Sequence, residues 1–406
     1  MTGIRDRWFV RDMPAARTLV AAALVAQVCV SVSDLGVPML AGFVKQELAL
    51  STAAAGLLVS SMLIGKTAGS YVLGSLVDTA GERRMLAVSA VVAGALLVAA
   101  SALPLALTVV LLIAAGFFTA ATTPAGGRLI LLAFPRERRG TGMGIRQTGV
   151  PIGGAAAALV LPPFVALGGW RLGLAAAGTI TLAGGLGSLV LAGVEQRRAA
   201  GASGRLSGHQ WLELAHDRSL VFATIWGCLV ITGQFAVIAF LPLAVHESSS
   251  LSLSTTVGLV AAVNLGGMVG RVAWGRVSDR TFESRRRPLL AVITAGGLAC
   301  ALLLAALPGG LPLAAIAVVA FAAGFSILGW QGVWVTLVCE LGGVERAGVA
   351  TGFAQGFIAL ASFLATPMYG LIVDLTGSYR AMWLAMGAVL CASLVPLRFV
   401  HEQLAA

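Results

Sequence analysis

GSLVDTAGERR (Gly74–Arg84) stands directly after a long apolar run, and a related stretch, GRVSDRTFESR (Gly275–Arg285), stands after another. The aspartates of the two copies, Asp78 and Asp279, are 201 residues apart in the 406-residue chain. A second pair, ERRGTGMGIRQ and ERAGVATGFAQ, which start at residues 137 and 345, is separated by 208 residues. Each half of the chain therefore carries one copy of both stretches, which indicates two similar halves with a site between them.

Apolar residues dominate the chain: 58% are hydrophobic and 11% are charged, against about 45–50% and about 25% in an ordinary globular protein. The apolar runs are continuous and reach the roughly 18–20 residues that a helix needs to cross a bilayer. Since a helix satisfies its own backbone, the runs predict an all-α membrane protein. We predict twelve transmembrane helices at 18–43, 53–77, 85–103, 105–132, 143–165, 172–194, 219–243, 255–277, 289–307, 312–337, 347–372 and 380–399.

The longest connection between apolar runs falls at the midpoint of the chain and is rich in glycine, serine and arginine. It predicts an N-terminal six-helix half over 1–194, a cytoplasmic linker over 195–218 and a C-terminal six-helix half over 219–406.

The formal net charge of +10 follows the predicted topology. Arginines crowd one set of loops, while the opposite set holds little more than Lys45, Arg171 and Arg380. The positive-inside rule then places both termini on the cytoplasmic side. The expected location is a bacterial plasma (inner) membrane. Because the charge is explained by topology and no basic, aromatic-interleaved surface is present, no nucleic-acid partner is expected.

Asp78 stands at the end of its predicted helix, where a carboxylate can accept hydrogen bonds from arginines and face the N-terminus of a neighbouring helix. The stretch around it resembles the signature loop between the second and third helices of the major facilitator superfamily, and the resemblance covers essentially the whole chain. It implies the twelve-helix fold of two pseudo-symmetric six-helix halves and a monomer that works by alternating access. It also implies a cytoplasmic latch formed by Asp78, Arg83, Arg84, Asp279 and Arg280. The second copy departs where Phe282 replaces the equivalent of Gly81.

GIRQTGVPIGG (Gly144–Gly154) opens the predicted fifth helix and resembles a motif of the same superfamily. Val150 separates the glycine from Pro151, whereas the antiporter form has them adjacent. The fourth-helix arginine of that group is also missing, since Leu112 and Ile113 stand where it is expected. Both departures weigh against proton:drug antiport.

Charged residues at membrane depth are costly and usually functional. Arg271 lies about 12 Å and Lys66 about 18 Å inside the cytoplasmic edge, at 1.5 Å per residue. No carboxylate of comparable depth on the same helices is expected to neutralise them, and Arg271 resembles an arginine of carboxylate-transporting superfamily members. Both predict anion binding, with an internal ion pair or a snorkelling side chain as the alternatives. The predicted substrate-binding residues are Lys66, Arg271, Arg146, Gln147, Trp330, Gln331 and Gln355.

Asp34 is the one carboxylate well inside a predicted helix. A partly buried carboxylate binds a proton more easily than one in water unless it is paired. Asp34 is therefore the proton-coupling candidate, and a structural hydrogen bond or ion pair is the alternative.

These observations predict a secondary active transporter that takes up a small organic anion with protons, and its expected partners are that anion and membrane lipid. Efflux of hydrophobic or drug-like compounds is the alternative function, and a non-transporting sensor on the same fold is another class. No in-membrane Ser/His/Asp set, metal-ligand spacing or phosphate-binding loop is present in the sequence. We therefore predict no enzyme activity, no metal and no cofactor.

Overall fold

The computed structural model describes residues 13–191, 213–249, 251–252, 255–256, 258–306 and 311–402, and every regular element in these ranges is helical. The helices are α1 (Met13–Glu47), α2 (Thr52–Ala80), α3 (Glu82–Ser101), α4 (Leu105–Thr119), α5 (Thr122–Ala133), α6 (Arg136–Gln147), α7 (Gly149–Leu191), α8 (Arg218–Ser248), α9 (Leu259–Arg280), α10 (Arg286–Ala305), α11 (Leu313–Ala323), α12 (Gln331–Thr376) and α13 (Tyr379–Leu397), with a π-helical segment at Gly324–Leu328. The predicted all-α fold is confirmed.

Nine stretches of the described residues are long and apolar enough to cross a membrane. Two of them, at Arg136–Leu189 and Leu313–Thr376, each contain a backbone break and so hold two helices. α9 is not among the nine, because Asn264, Arg271 and the charged residues at its end lower its hydropathy. With both breaks and α9 counted, the described residues supply the twelve predicted membrane helices.

Glycines make the two breaks possible. Gly169 in α7 and Gly343 in α12 both have φ of +69°, a left-handed conformation that a side chain disfavours and glycine adopts without strain. Each break falls between two predicted helices, at the connections of 165–172 and 337–347.

The described residues form two compact units. The first takes its residues from 1–135, 145–212 and 342–356, and the second from 136–144, 213–341 and 357–406. The predicted division into halves at 194 and 219 stays a prediction, and residues 195–212 of the predicted linker lie outside the described residues.

The internal repeat is visible in the packing of each unit. The Cβ of an alanine at Gly65 in α2 would lie 1.8 Å from the carbonyl oxygen of Ile113 in α4. The Cβ of an alanine at Gly266 in α9 would lie 2.0 Å from that of Phe321 in α11. Gly65 and Gly266 are repeat partners, so each unit contains the same backbone-to-backbone helix contact, which only small residues allow.

Orientation in the membrane is a testable prediction. Reporter fusions near residues 140, 205 and 345 should give a cytoplasmic signal, and fusions near 48 and 248 an outside signal, because the arginine-rich loops belong inside. Paired alkaline phosphatase and fluorescent-protein fusions measure this directly. A cytoplasmic signal at 248 would contradict the twelve-helix topology.

Candidate functional site

Arg271 is a buried cation in the second unit. It lies in the middle of α9 and is 1% exposed. Its Nη2 donates to Gln331 Oε1 at 2.9 Å, whereas Nε and Nη1 have no hydrogen-bond partner among the described residues. No carboxylate in the described ranges forms an ion pair with it. A buried charge without a counter-charge is costly.

The π-helical segment shapes the surroundings of Arg271. The π-helical turn lies between α11 and α12 and holds about one residue more than an α-helical turn. The indole Nε1 of Trp274 donates to the carbonyl oxygen of Phe325 within it, at 2.9 Å. Such π segments occur often at functional sites. Trp330 and Gln331 follow at the start of α12, where Gln331 reaches Arg271.

Trp330 is fully buried, and its ring meets those of Trp226 and Trp334 edge to face, with both pairs of centroids 5.4 Å apart. The Nε1 of Trp334 donates to the Ala223 carbonyl at 2.8 Å, but the Nε1 of Trp330 has no partner in the described part of the chain. The predicted residues Arg271, Trp330 and Gln331 thus lie in one unit, and two of them carry unused donors.

Gln234 was not predicted to belong to this site. It lies in the apolar helix α8, and its Oε1 is 3.4 Å from Gln331 Nε2. Its signal in the sequence was a single glutamine within an otherwise apolar run, which by itself does not distinguish a site residue from a packed one. The contact with Gln331 extends the polar chain that starts at Arg271.

In the first unit, Lys66 of α2 forms an ion pair with Asp34 of α1. The carboxylate comes from α1 and not from α2 or α9, so the internal ion pair, which was one of the two alternatives for Lys66, is what the structure shows. The flexible four-carbon stem of lysine lets its ammonium group reach a carboxylate on another helix. The Lys66 side chain remains 35% exposed and that of Asp34 is 14% exposed.

Arg146 is fully buried in the first unit and joins helices to one another. Its Nη2 donates to Gln27 Oε1 at 2.7 Å and to the Thr122 carbonyl, and Nη1 lies 3.5 Å from Gln147 Oε1. These partners tie α6 to α1 and α5. Gln147 thus contacts Arg146, and the predicted role of Gln147 and Gln355 in substrate binding stays a prediction.

Asp78 caps a helix, as its position at the end of α2 predicted. Its carboxylate accepts from the backbone amides of Gly348 at 2.9 Å and Val349 at 2.8 Å, both shortly after the break in α12. Arg128 lies 3.2 Å from Asp78 and also pairs with the buried Glu82. Amides near a helix start carry partial positive charge, so they stabilise the carboxylate.

Asp279 makes the equivalent contact in the second unit. Its carboxylate accepts from the amides of Gly140 at 3.1 Å and Thr141 at 2.7 Å, near the start of α6. Arg286 donates to Asp279 at 2.7 Å and to Glu340 at 3.3 Å. The amides at 348 and 140 are related by the same 208-residue spacing as the second repeated stretch.

The arginines of the two clusters differ from those predicted. Arg84 and Arg280 are exposed, and neither forms an ion pair within the described ranges; Arg83 is half-buried. Arg128 and Arg286 contact the aspartates instead, and they are not repeat partners of each other. The repeated stretch therefore identified the aspartates, while the counter-charges come from two buried arginines outside it: Arg128 in α5 and Arg286 at the start of α10.

Comparison with known proteins decides the family. A family model described as Major Facilitator Superfamily matches residues 23–366. The chain belongs to this superfamily. It is 30% identical over 361 residues to the uncharacterized MFS-type transporter Rv2994 of Mycobacterium tuberculosis, and the match covers 86% of this chain and 78% of Rv2994. It is 23% identical to the "Probable sulfoacetate transporter SauU" of Cupriavidus necator, with 92% of this chain and 91% of SauU covered.

Solved structures agree on the fold of this superfamily member. The crystal structure of the MFS transporter FucP in the outward conformation matches with a TM-score of 0.73 and 17% identity, over 96% of this chain and 99% of FucP. The chain is thus a multi-pass membrane transporter of the major facilitator superfamily, and it is not an enzyme.

The aspartate contacts lead to a prediction for this transporter. Asp78→Asn should slow transport roughly tenfold, because hydrogen bonds to a charged acceptor are each worth about 1.5–3 kcal/mol. Substrate affinity should stay unchanged, because Asp78 belongs to the first unit and Arg271 to the second. Uptake rate and equilibrium binding are measured on the same preparation. Glu137→Gln, which neutralises an exposed carboxylate on α6, is the matched control. Equal loss of binding and transport in a well-folded Asp78→Asn variant would contradict the assignment.

Proposed function

We propose that this transporter carries a small organic anion, a carboxylate, across the plasma membrane of a bacterium. The observation that carries the proposal is Arg271, a fully buried guanidinium with two donor atoms unused and no carboxylate partner among the described residues. A carboxylate bound there supplies the missing counter-charge.

Arginine suits this role better than lysine. Its planar guanidinium offers parallel N–H donors that match the two oxygens of a carboxylate. Gln331 already holds one nitrogen of Arg271 and so limits its rotation, which leaves the remaining donors oriented for a ligand. The name of SauU, a relative over almost its full length, also refers to a small organic anion, sulfoacetate.

Proton coupling is proposed to use the Lys66–Asp34 pair. Protonation of Asp34 removes its negative charge and releases the ammonium group of Lys66, whose side chain is one-third exposed. Deprotonation restores the pair. One proton therefore breaks or restores an ion pair that joins two helices of the first unit. The free energy of proton binding can in this way be linked to a change in helix packing.

Asp78 and Asp279 are proposed as the two latch residues, with Arg128 and Arg286 as their arginines. Each carboxylate holds the amides near a helix start, and these contacts must break for the helices to separate. Loss of such contacts changes the rate of conformational exchange more than the affinity of a distant site.

Ligand-induced thermal stabilisation of the purified protein tests the proposed substrate class. A panel of small carboxylates is compared with the primary amides of the same acids and with tetraphenylphosphonium as a lipophilic cation. At least one acid should raise Tm, since a ligand at a hundred times its Kd stabilises the native state by about 2.7 kcal/mol. Its amide should not. Stabilisation by the cation alone, or equally by acid and amide, would contradict the proposal and favour efflux of drug-like compounds.

A further inference from the structure

The segment after the last helix is docked against the start of α8. Val400 is fully buried, and the ring of Phe399 stacks on that of Phe222 with centroids 4.8 Å apart. The amide of His401 donates to Ser219 Oγ at 3.0 Å. These contacts place the next residue, Glu402, at a defined position within the second unit.

Glu402 caps α10 from outside that helix. Its carboxylate accepts from the backbone amides of Arg286, at 2.9 Å, and Arg287, and its side chain is only 9% exposed. The residue before the helix, Arg285, supplies no side-chain cap. The first amides of a helix have no partner within it, so a carboxylate at this position satisfies them and interacts favourably with the helix dipole.

Glu402 contacts the start of α10 and the start of α6, and both of these helix starts also contact Asp279. The backbone amide of Arg286 donates to Glu402. The guanidinium of the same residue donates to Asp279 and, at 2.8 Å, to the carbonyl oxygen of Arg136. The guanidinium of Arg136 lies 3.8 Å from Glu402. Arg136 is the first residue of α6, and the amides that Asp279 holds follow one turn later, at Gly140 and Thr141.

We propose that Glu402 is a positioning residue of the Asp279 latch: it holds the start of α10 and the start of α6 where Asp279 joins them. The first copy of the loop has its own carboxylate for this purpose, Glu82, which is buried against Arg128. Its repeat partner Glu283 is exposed and has a φ of +51°. The second copy therefore draws its carboxylate from the segment after the last helix. This inference rests on the proposed latch role of Asp279 and is independent of the proposed substrate.

Amide hydrogen exchange of the full chain, read by mass spectrometry in lipid nanodiscs, tests it without a substrate. Glu402→Gln should speed exchange about tenfold or more in two peptides, one with Arg286 and Arg287 and one with Gly140 and Thr141, because a charged acceptor is lost at the first and the latch loosens at the second. Glu283→Gln, which neutralises the exposed carboxylate of the same turn, should change neither. Unaltered thermal stability and far-UV circular dichroism confirm that each variant folds.

The peptide around Gly140 distinguishes a positioning role from a cap. If exchange rises only at Arg286 and Arg287, Glu402 caps α10 and nothing more, and the proposal is overturned. No change at either peptide, or an equal change in Glu283→Gln, also overturns it. Asp279→Asn is the reference for a lost latch contact; if it leaves Gly140 and Thr141 protected, the latch and this proposal both fail, while thermal shift by carboxylates still judges the substrate class.

Discussion

Arg271→Ala should weaken binding of the stabilising carboxylate by about 30-fold or more, because removing one partner of a buried charge pair costs 2–5 kcal/mol or more. Arg271→Lys should weaken it about tenfold although the charge is kept, since an ammonium group is a compact point charge without the two parallel donors of a guanidinium. Isothermal titration of the purified variants with the acid that raises Tm most measures both values.

Arg276→Ala is the matched control for these variants. Arg276 lies on the same helix as Arg271 but is exposed and has no ion pair in the described ranges. Its removal takes the same charge from the same helix and should leave affinity unchanged. Unaltered carboxylate affinity in Arg271→Ala, with wild-type thermal stability in the absence of ligand, would contradict the assignment of Arg271.

Asp34→Asn should abolish accumulation of substrate driven by a pH gradient and retain exchange of substrate for substrate. The amide cannot carry the proton, but the site at Arg271 keeps its charge, so binding and exchange continue. Proteoliposomes with and without an imposed pH gradient separate the two activities. Asp374→Asn, at an exposed carboxylate near the end of α12, should accumulate substrate like the wild type.

The ion pair with Lys66 adds a stability readout to this prediction. Asp34→Asn leaves an ammonium group at membrane depth without its carboxylate, so Tm should fall. The double variant Asp34→Asn with Lys66→Met should recover part of that loss, because the unpaired charge is gone. Full pH-driven accumulation in Asp34→Asn would exclude Asp34 as the coupling residue, whatever the stability measurements show.

Sequence reasoning predicted the fold well because the membrane imposes simple rules. A helix that crosses a bilayer needs a long apolar run, and the loops between runs carry the topology. One exception shows the limit of hydropathy: α9 is not among the stretches apolar enough to cross a membrane, because Asn264, Arg271 and the charged residues at its end lower its mean hydropathy. It was predicted as a membrane helix at 255–277 because its mainly apolar run is long enough to cross a bilayer.

The candidate site was predictable where a residue type is costly in its setting. Arg271 stood out because an arginine at membrane depth has few structural explanations. Whether two such residues meet depends on how helices pack laterally, which spacing along one helix does not contain. The Lys66–Asp34 ion pair and the hydrogen bond from Arg271 to Gln331 both depend on such lateral packing.

The arginines of the aspartate clusters show a second limit. A repeat predicts equivalent residues at equivalent positions, and the aspartates and their amide partners obey it. The counter-charges do not, since Arg128 comes from α5 and Arg286 from the start of α10. Each half needs only some buried guanidinium near its aspartate, and any helix that lies close enough can supply it.

Uptake of a radiolabelled carboxylate into proteoliposomes, with the lumen made alkaline, tests the central claim most directly. The acid is the one that gives the largest thermal shift, and liposomes with Arg271→Ala are the control. We predict that the wild type accumulates the acid above its equilibrium level and that the variant stays at the level of protein-free liposomes. Failure of every stabilising acid to enter, together with protein-dependent movement of tetraphenylphosphonium that Arg271→Ala leaves unchanged, would contradict the account.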